Sequence, residues 1–337
     1  MDASSSEQLQ QRAQAGDLDA MTALGTHLLL GAMAYDGAVM LSAAAERGSA
    51  AACERIAVLA GAGACTPQSW PTAFDFLVRA AKLGSSSARR QLALFCDDNK
   101  RVAQMFGEIP PEPDFWRNLR RSIDIDGWLQ APPARVLSQQ PHIMAIDHLL
   151  PQSCCDWLIE RARPRIGPAR IYDSATGGAR SASARSNSET DFNIAETDLV
   201  LLIARARIAA TAALPPASFE LTNVLHYAPG QRFDPHYDFL DPAMPSFAED
   251  IARQGQRVAT CLIYLNSGYS AGETEFPLAG IRYKGKPGDA VCFFNVDSAG
   301  QPDRQSLHAG LPPSSGEKWL LSQFIRRPVA IDRKALA

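Results

Sequence analysis

His236 and Asp238 stand two residues apart in the run Tyr227-Ala228-Pro229-Gly230-Gln231-Arg232-Phe233-Asp234-Pro235-His236-Tyr237-Asp238. In an extended strand, residues two apart point to the same face, so this imidazole and this carboxylate can converge on one point. A second, distant imidazole would complete a 2-His-1-carboxylate face. Such a face binds non-haem Fe(II) and leaves positions open for a bidentate co-substrate and dioxygen. His308, in Ser306-Leu307-His308, is the natural third ligand. Lys318, in Glu317-Lys318-Trp319, is the natural anchor for the co-substrate's far carboxylate. A flexible stem ending in a compact ammonium suits a point-charge contact at the end of a narrow pocket. Arg282 and Arg326 are the other cations that could serve there. Taken singly, a histidine is more often a satisfied core residue, and a lysine a solvated charge. Three ligand types in one pattern, with the lysine heading an apolar strand, favour the metal. His27, His142, His148 and His226 lack such partners, and His226 should face away from Tyr227 in its strand.

Stepping outward, the 337-residue chain has room for two cores. Its 46% hydrophobic and 20% charged residues are ordinary for a globular protein. A net charge of −3 gives no reason to expect nucleic acid or an anionic membrane as partner. No run approaches the ~20 apolar residues of a membrane span. The polar start Met1-Asp2-Ala3-Ser4 does not resemble a secretory leader, so a cytoplasmic location is expected. Cysteines at 53, 65, 96, 154, 155, 261 and 292 form no Cys-x-x-Cys pair, which suits reduced thiols. Cys261 and Cys292 lie in apolar runs and are expected to be small core residues.

The first hundred residues repeat a Gly-x3-Ala-x3-apolar pattern from Gly16, Gly48 and Gly84, at intervals of 32 and 36 residues. Those intervals fall within the range of helical-hairpin solenoids. Small residues at helical spacing let paired helices approach, and each glycine can end one helix before the next begins. Pro110-Pro111-Glu112-Pro113 and Ala131-Pro132-Pro133 then interrupt the chain, with a short bridging helix expected between Phe115 and Trp128. The resulting division is 1–110 helical repeats, 111–135 linker and 136–337 the domain carrying the site. Within that domain, Ile143–Ile146 reads as a strand and Pro151–Arg163 as an amphipathic helix. Residues 173–190 contain almost no large apolar side chain and read as a mobile loop. Asp198–Ala213 reads as a helix. Leu221–Tyr227, Arg257–Leu265, Ile281–Tyr283, Ala290–Phe294 and Trp319–Ile325 read as strands. Arg257–Leu265 is apolar on both faces and should be central. Many short strands around a pocket suggest a double-sheet jelly roll.

In their order, these motifs resemble the prolyl 4-hydroxylase group of 2-oxoglutarate- and Fe(II)-dependent dioxygenases. The likeness covers about residues 140–328 and rests on five more motifs besides the Tyr227–Asp238 run. These are Arg257-x2-Thr260-x3-Tyr264-Leu265, Gly272-Glu-Thr-x-Phe-Pro277, Lys286-x-Gly288-Asp-Ala290, Ser306-Leu-His-Ala309 and Glu317-Lys-Trp319. About residues 12–97 are similar to Sel1-like repeats, relatives of the tetratricopeptide repeat, which often bind proteins or else serve as a helical appendage. The combined resemblance implies a two-domain α plus β chain. An N-terminal helical repeat domain would precede a C-terminal double-stranded β-helix with flanking helices.

The resemblance further implies that His236, Asp238 and His308 bind the iron, and that Lys318, Tyr227 and Thr274 hold 2-oxoglutarate. It places Arg257 and Tyr227 in the catalytic machinery, and Arg257, Arg185 and Phe233 against the substrate. Arg257 and Arg185 would bond peptide carbonyls and Phe233 would pack on the pyrrolidine ring. Gly288 and Asp289 read as a structural turn, and Gly230 as the bend above the metal. Three positions depart from the family pattern. Arg185-Ser186-Asn187 stands for the usual Arg-Thr-Ser, Ala271 for a glycine, and Phe324 for a tryptophan of some members. The implied reaction uses Fe(II), 2-oxoglutarate and O2, with ascorbate as reductant. It hydroxylates a prolyl residue of a protein or peptide and releases succinate and CO2, the repeats recruiting the substrate. The alternatives are a hydroxylase of a free amino acid or small metabolite, and a repeat-based adaptor whose oxygenase domain senses oxygen or 2-oxoglutarate.

Overall fold

The computed structural model describes residues 3–96, 98–169, 171–172, 179–180 and 184–327, and the chain forms two compact units. The first takes residues 1–130 together with 192–203, and the second takes 131–191 and 204–337. Among the described residues no helix is long and apolar enough to cross a membrane.

The first unit is helical. Its repeating glycines sit where one helix gives way to the next, as Gly48 shows. Ala34–Glu46 ends there, the N–H of Ser49 bonds back to Ala44 O, and Gly48 turns the chain at φ 97. That left-handed conformation closes the helix with a Schellman-type pair of bonds at no Cβ cost. The residue after each glycine is a cap. Asp17, Ser49 and Ser85 accept from the N–H of Ala20, Ala52 and Ala88 through their side chains. Those three alanines are buried, so the pattern records both a cap and a close helix contact.

The helical unit runs through most of the presumed linker, to residue 130, and takes in a second segment as well. The helix Phe115–Ser122 buries Phe115 and Leu119, and Arg120 Nε reaches Asp75 Oδ1 at 2.7 Å. It is therefore part of the helical unit. The segment 192–203 also belongs there. Gln91 Oε1 accepts from Leu199 N at 3.1 Å, and Arg55 Nη1 donates to Ala195 O at 2.6 Å. These pairings join residues more than a hundred positions apart, which no local pattern records.

Among the described residues the second unit holds two small two-stranded sheets and two large antiparallel ones. The larger runs Ala134–Gln139, His142–Ile146, Ala290–Phe294, Gln256–Tyr264, Lys318–Arg327, Thr222–Tyr227, Ser188–Phe192 and Gly167–Pro168 in spatial order. The smaller runs Ile281–Tyr283, Thr274–Phe276, His308–Gly310 and Phe233–His236. Leu225, Tyr264, Phe293 and Leu320 from the first pack with Phe276 from the second, so the core lies between the sheets. The Gln256–Tyr264 strand is interior and buried along most of its length, as its two-sided apolar pattern requires.

Of the loop expected over 173–190, residues 173–178 and 181–183 lie outside the described residues, and 188–190 begin a strand. Gly288 (φ 88) is a turn residue whose Cβ would fall 1.8 Å from Leu150 O. Asp289 fastens that turn by accepting from His148 N and Lys286 N.

The expectation of reduced thiols is corrected at one pair. Cys261 and Cys292 are core residues joined by a disulfide, because their strands are neighbours and place the two Cα atoms 4.1 Å apart. Cys53, Cys65, Cys96, Cys154 and Cys155 remain thiols outside any disulfide.

Ala271, the alanine in place of a glycine, stands at φ 54. A Cβ there costs about 1–2 kcal/mol. Ala271→Gly should therefore raise stability by roughly 0.5–1 kcal/mol after glycine's larger unfolded-state entropy is deducted. Urea unfolding checks this, and an unmoved or lowered midpoint would contradict the strain.

Candidate active site

The two histidine ligands are a cross-strand pair. His308 lies opposite His236 in the register of the smaller sheet, and their rings approach to 4.3 Å between centroids. Each Nδ1 faces the carbonyl two residues before its own position, at Asp234 O (2.8 Å) and Ser306 O (3.0 Å). With Nδ1–H donating there, both Nε2 lone pairs face inward. Asp238 meets them, with His236 Nε2 at 3.5 Å from Oδ1 and His308 Nε2 at 3.4 Å from Oδ2. Donor atoms about 3 Å apart suit neighbouring positions around one transition-metal ion. No other group of three or more His, Cys, Asp or Glu among the described residues is placed to hold a metal.

The charge states fit that use. Burial pushes the His308 imidazole down to about 4, against the attraction of Asp238, so it is neutral and has a lone pair to give. Burial opposes charge on Asp238 too. His308, the contact with His236 and the hydrogen bond from Thr260 outweigh it and hold the carboxyl well below the usual range. Two imidazoles with their Nε2 atoms turned inward and one carboxylate are the donor set of a divalent iron site.

The pocket beside this trio is walled by Leu225, Leu262 and Leu320 and ends at Lys318. Lys318 opens the Lys318–Arg327 strand opposite Tyr227 and is fully buried. Its Nζ has no hydrogen-bond partner and lies 5.0 Å from the Tyr227 ring centroid and 5.9 Å from that of Tyr264. Burial pushes its pKa down to about 7. An orphaned buried ammonium calls for an anion, and a small dicarboxylate reaching from the metal would supply one. Arg282 pairs with Glu275, and Arg326 with Glu220 and Asp250, so neither is placed for that role. Tyr227 and Thr274 also line the pocket. Burial pushes the Tyr227 phenol up to about 12, which keeps it a donor. Thr274 Oγ1 meets the Tyr264 hydroxyl at 2.7 Å, and that hydroxyl reaches Tyr283 O at 2.9 Å.

The expected substrate contacts are placed differently. Phe233 stacks on the His236 ring at 3.5 Å and 12°, and the Arg185 guanidinium lies 4.7 Å over the Phe233 ring. Its faces are thus shared between a ligand and a cation, and it braces His236 where a free face for a pyrrolidine was expected. Arg185 lines the pocket, with Nε donating to Asn187 Oδ1 (2.9 Å) and Nη2 to Glu189 Oε2 (2.5 Å). The Asn187 departure from the family pattern therefore serves to aim Arg185. Arg257 stands outside the pocket lining. Glu220 takes its Nε and Nη2 at 2.6 and 2.8 Å, and its guanidinium lies 4.1 Å over Phe324, which does line the pocket. A direct catalytic part for Arg257 is not what this geometry offers. His226 faces the other way, against Trp319.

Thr260 entered the sequence reading only as a motif position without a role, and Asn295 and Glu189 were not singled out. A hydroxyl inside an otherwise apolar strand was the one available signal, at Thr260. Glu189 and Asn295 carried none.

The model of the 2OG-Fe(II) oxygenase superfamily matches residues 222–326. Prolyl 4-hydroxylase 1 of Arabidopsis thaliana is 32% identical over 235 residues, which cover 63% of this chain and 81% of that protein. Probable prolyl 4-hydroxylase 3 of the same plant is 31% identical over 211 residues, covering 56% and 71%. A viral collagen prolyl hydroxylase of Paramecium Bursaria Chlorella virus-1, solved as a 2OG complex, aligns with 29% identity and a TM-score of 0.43. That alignment covers 55% of this chain and 95% of the viral one. Identity at this level over four fifths of a plant relative makes the chain a member of the prolyl 4-hydroxylase family of 2-oxoglutarate-dependent dioxygenases, which use Fe(II) and O2.

Proposed function

We propose that the chain hydroxylates a prolyl residue held within a polypeptide. The observation that carries this is the distribution of charge around the pocket. Lys318, its cation without a hydrogen-bond partner, is fully buried, while the more exposed Arg185 is matched by Glu189. The buried end thus suits the co-substrate's carboxylate. The opening suits a neutral, amide-flanked ring better than the zwitterion of free proline, whose two charges would have to break that pair.

In this reading His236, Asp238 and His308 hold Fe(II), and Lys318, Tyr227 and Thr274 hold the far carboxylate of 2-oxoglutarate. When bound, iron and co-substrate supply the oxidising chemistry that places one oxygen on a C–H bond as 2-oxoglutarate becomes succinate and CO2. The protein's own residues do the positioning. The three leucines keep water from the wall, Phe233 braces His236, and Arg185 lines the pocket in its pair with Glu189. We further propose that the two facing sheets are the double-stranded β-helix of this family and that ascorbate restores the resting iron. The helical unit is read as Sel1-like, adding a second contact that raises the effective concentration of a protein substrate.

Mass spectrometry of proline-containing peptides and of free proline, each incubated with enzyme, Fe(II) and 2-oxoglutarate, should find an added oxygen on peptides alone. Free proline turned over as efficiently as any peptide would overturn the polypeptide reading. Succinate formation should vanish in the Ala variants of His236, Asp238 and His308, and its survival in all three would remove the iron assignment.

Lys318→Ala leaves a buried carboxylate without its cation, about 3–5 kcal/mol, and should weaken 2-oxoglutarate binding by two to three orders of magnitude. The wild type should show a pH signature as well. With the Lys318 pKa near 7, the free protein carries a neutral amine above that pH, and binding a carboxylate draws in a proton. Affinity should then fall as pH rises past about 7, approaching tenfold per pH unit. Calorimetry in buffers of different ionisation heat measures the proton taken up, and no uptake at about pH 8 would contradict it.

A further inference from the structure

Behind Asp238, on the side away from the pocket, two fully buried polar side chains form a line. Thr260 Oγ1 donates to Asp238 Oδ2 at 2.7 Å, and Asn295 Nδ2 donates to Thr260 Oγ1 at 3.0 Å. Thr260 is 1% exposed and Asn295 0%, and neither lines the pocket. Thr260 belongs to the Gln256–Tyr264 strand, and Asn295 directly follows Ala290–Phe294, its neighbour in the sheet. Asn295 is fixed by its backbone on both sides, with its N–H on Val258 O and its carbonyl accepting from Asp303 N, each at 2.9 Å.

The direction of these bonds follows from proton counting. An ionised carboxylate only accepts, and a hydroxyl has one hydrogen. Thr260 can serve Asp238 only if nothing on its other side claims that hydrogen. Asn295 presents its NH2 there, a group that can only donate. Its own Oδ1 is left buried without a hydrogen-bond partner, an arrangement that opposes folding. The amide thus keeps its donor on Thr260 at the expense of its acceptor, which makes sense if the gain lies in the site.

We propose that Thr260 and Asn295 are positioning residues for the iron ligand Asp238. Asn295 sets the direction of the Thr260 hydroxyl, and that hydroxyl holds the carboxylate in the plane where it meets His236 and His308. The proposal rests on the reading of the His236–Asp238–His308 trio as the metal site. Groups that orient a metal ligand typically contribute 10–100-fold to metal affinity.

The test is metal binding without turnover. Metal-free wild type, Thr260→Val, Thr260→Ser, Asn295→Ala and His236→Ala are titrated with Co(II), followed by calorimetry and by visible absorption. Thermal melting of each metal-free protein is recorded alongside. Thr260→Val should bind Co(II) about 10–100-fold more weakly. Thr260→Ser should bind nearly as wild type, and Asn295→Ala should lose several-fold, with an altered Co(II) spectrum. A merely structural role would lower the metal-free melting temperature and leave Co(II) affinity alone, and that result overturns the proposal. So does a Thr260→Ser variant as weak as Thr260→Val. Undiminished binding by Asn295→Ala overturns the part given to Asn295. Binding by His236→Ala as tight as wild type would instead remove the metal site itself, and is recognised because all five proteins would then agree.

Discussion

A lysine ammonium buried without a hydrogen-bond partner is the constraint around which the second unit is arranged. A lone charge in an apolar interior is costly, and it escapes either by losing its proton or by gaining an anion. The sheet register puts Lys318 opposite Tyr227, so aromatic faces are the nearest electron-rich surfaces it has. That is partial compensation only. Leu225, Leu262 and Leu320 line the pocket that Lys318 shares with the metal ligands, so the ammonium at one end and the ligand trio at the other meet a partly apolar wall. A ligand with a chelating head and a distal carboxylate satisfies both ends at once. The cost of burial is thereby converted into selectivity for ligands of that length and charge.

The same economy appears at the metal end. Two histidines opposed in register need no loop to bring them together, and each fixes its tautomer on a carbonyl two residues back. Asp238 follows His236 by two residues, in the bend just past the end of the Phe233–His236 strand. The geometry therefore tolerates short strands: Phe233–His236 and His308–Gly310 hold the ligands through pairing with each other, and Thr274–Phe276 covers the latter's free side.

Those short strands mark where the sequence stops being informative. Gln256–Tyr264, Ala290–Phe294 and Lys318–Arg327 were legible because runs of buried apolar residues declare a strand by composition. Phe233–His236 and His308–Gly310 carry ligands and turn residues in place of alternating apolar ones, and owe their extended state to their neighbours. The ligand types and Lys318 were legible from spacing and motif. The partners of Arg257, Arg185 and Phe233 were not, since Glu220, Glu189 and His236 claim them through the folded arrangement. The Gly-Asp/Ser-x2-Ala repeat was legible as helix ends. The share of 192–203 in the helical unit was hidden, because Gln91 and Arg55 reach it across more than a hundred residues.

Charge matching in the shell around the pocket bears on what kind of recognition the site can use. Glu220 holds Arg257 and also takes Arg326 Nε at 2.6 Å, while Arg326 continues to Asp250 on the Pro245–Gln254 helix at 2.8 Å. Two arginines and two carboxylates thus close on one another. Partly buried ion networks of this kind add little net stability over apolar packing, yet breaking one partner is costly, so they fix geometry. Here they fix the helix between the Asp238 segment and the central strand to the end of the strand that starts with Lys318. Arg185 and Glu189 repeat the device nearer the metal. With its arginines matched in this way, the region carries little net field. Recognition there leans on shape more than on net charge, which suits a neutral stretch of polypeptide better than a small charged metabolite.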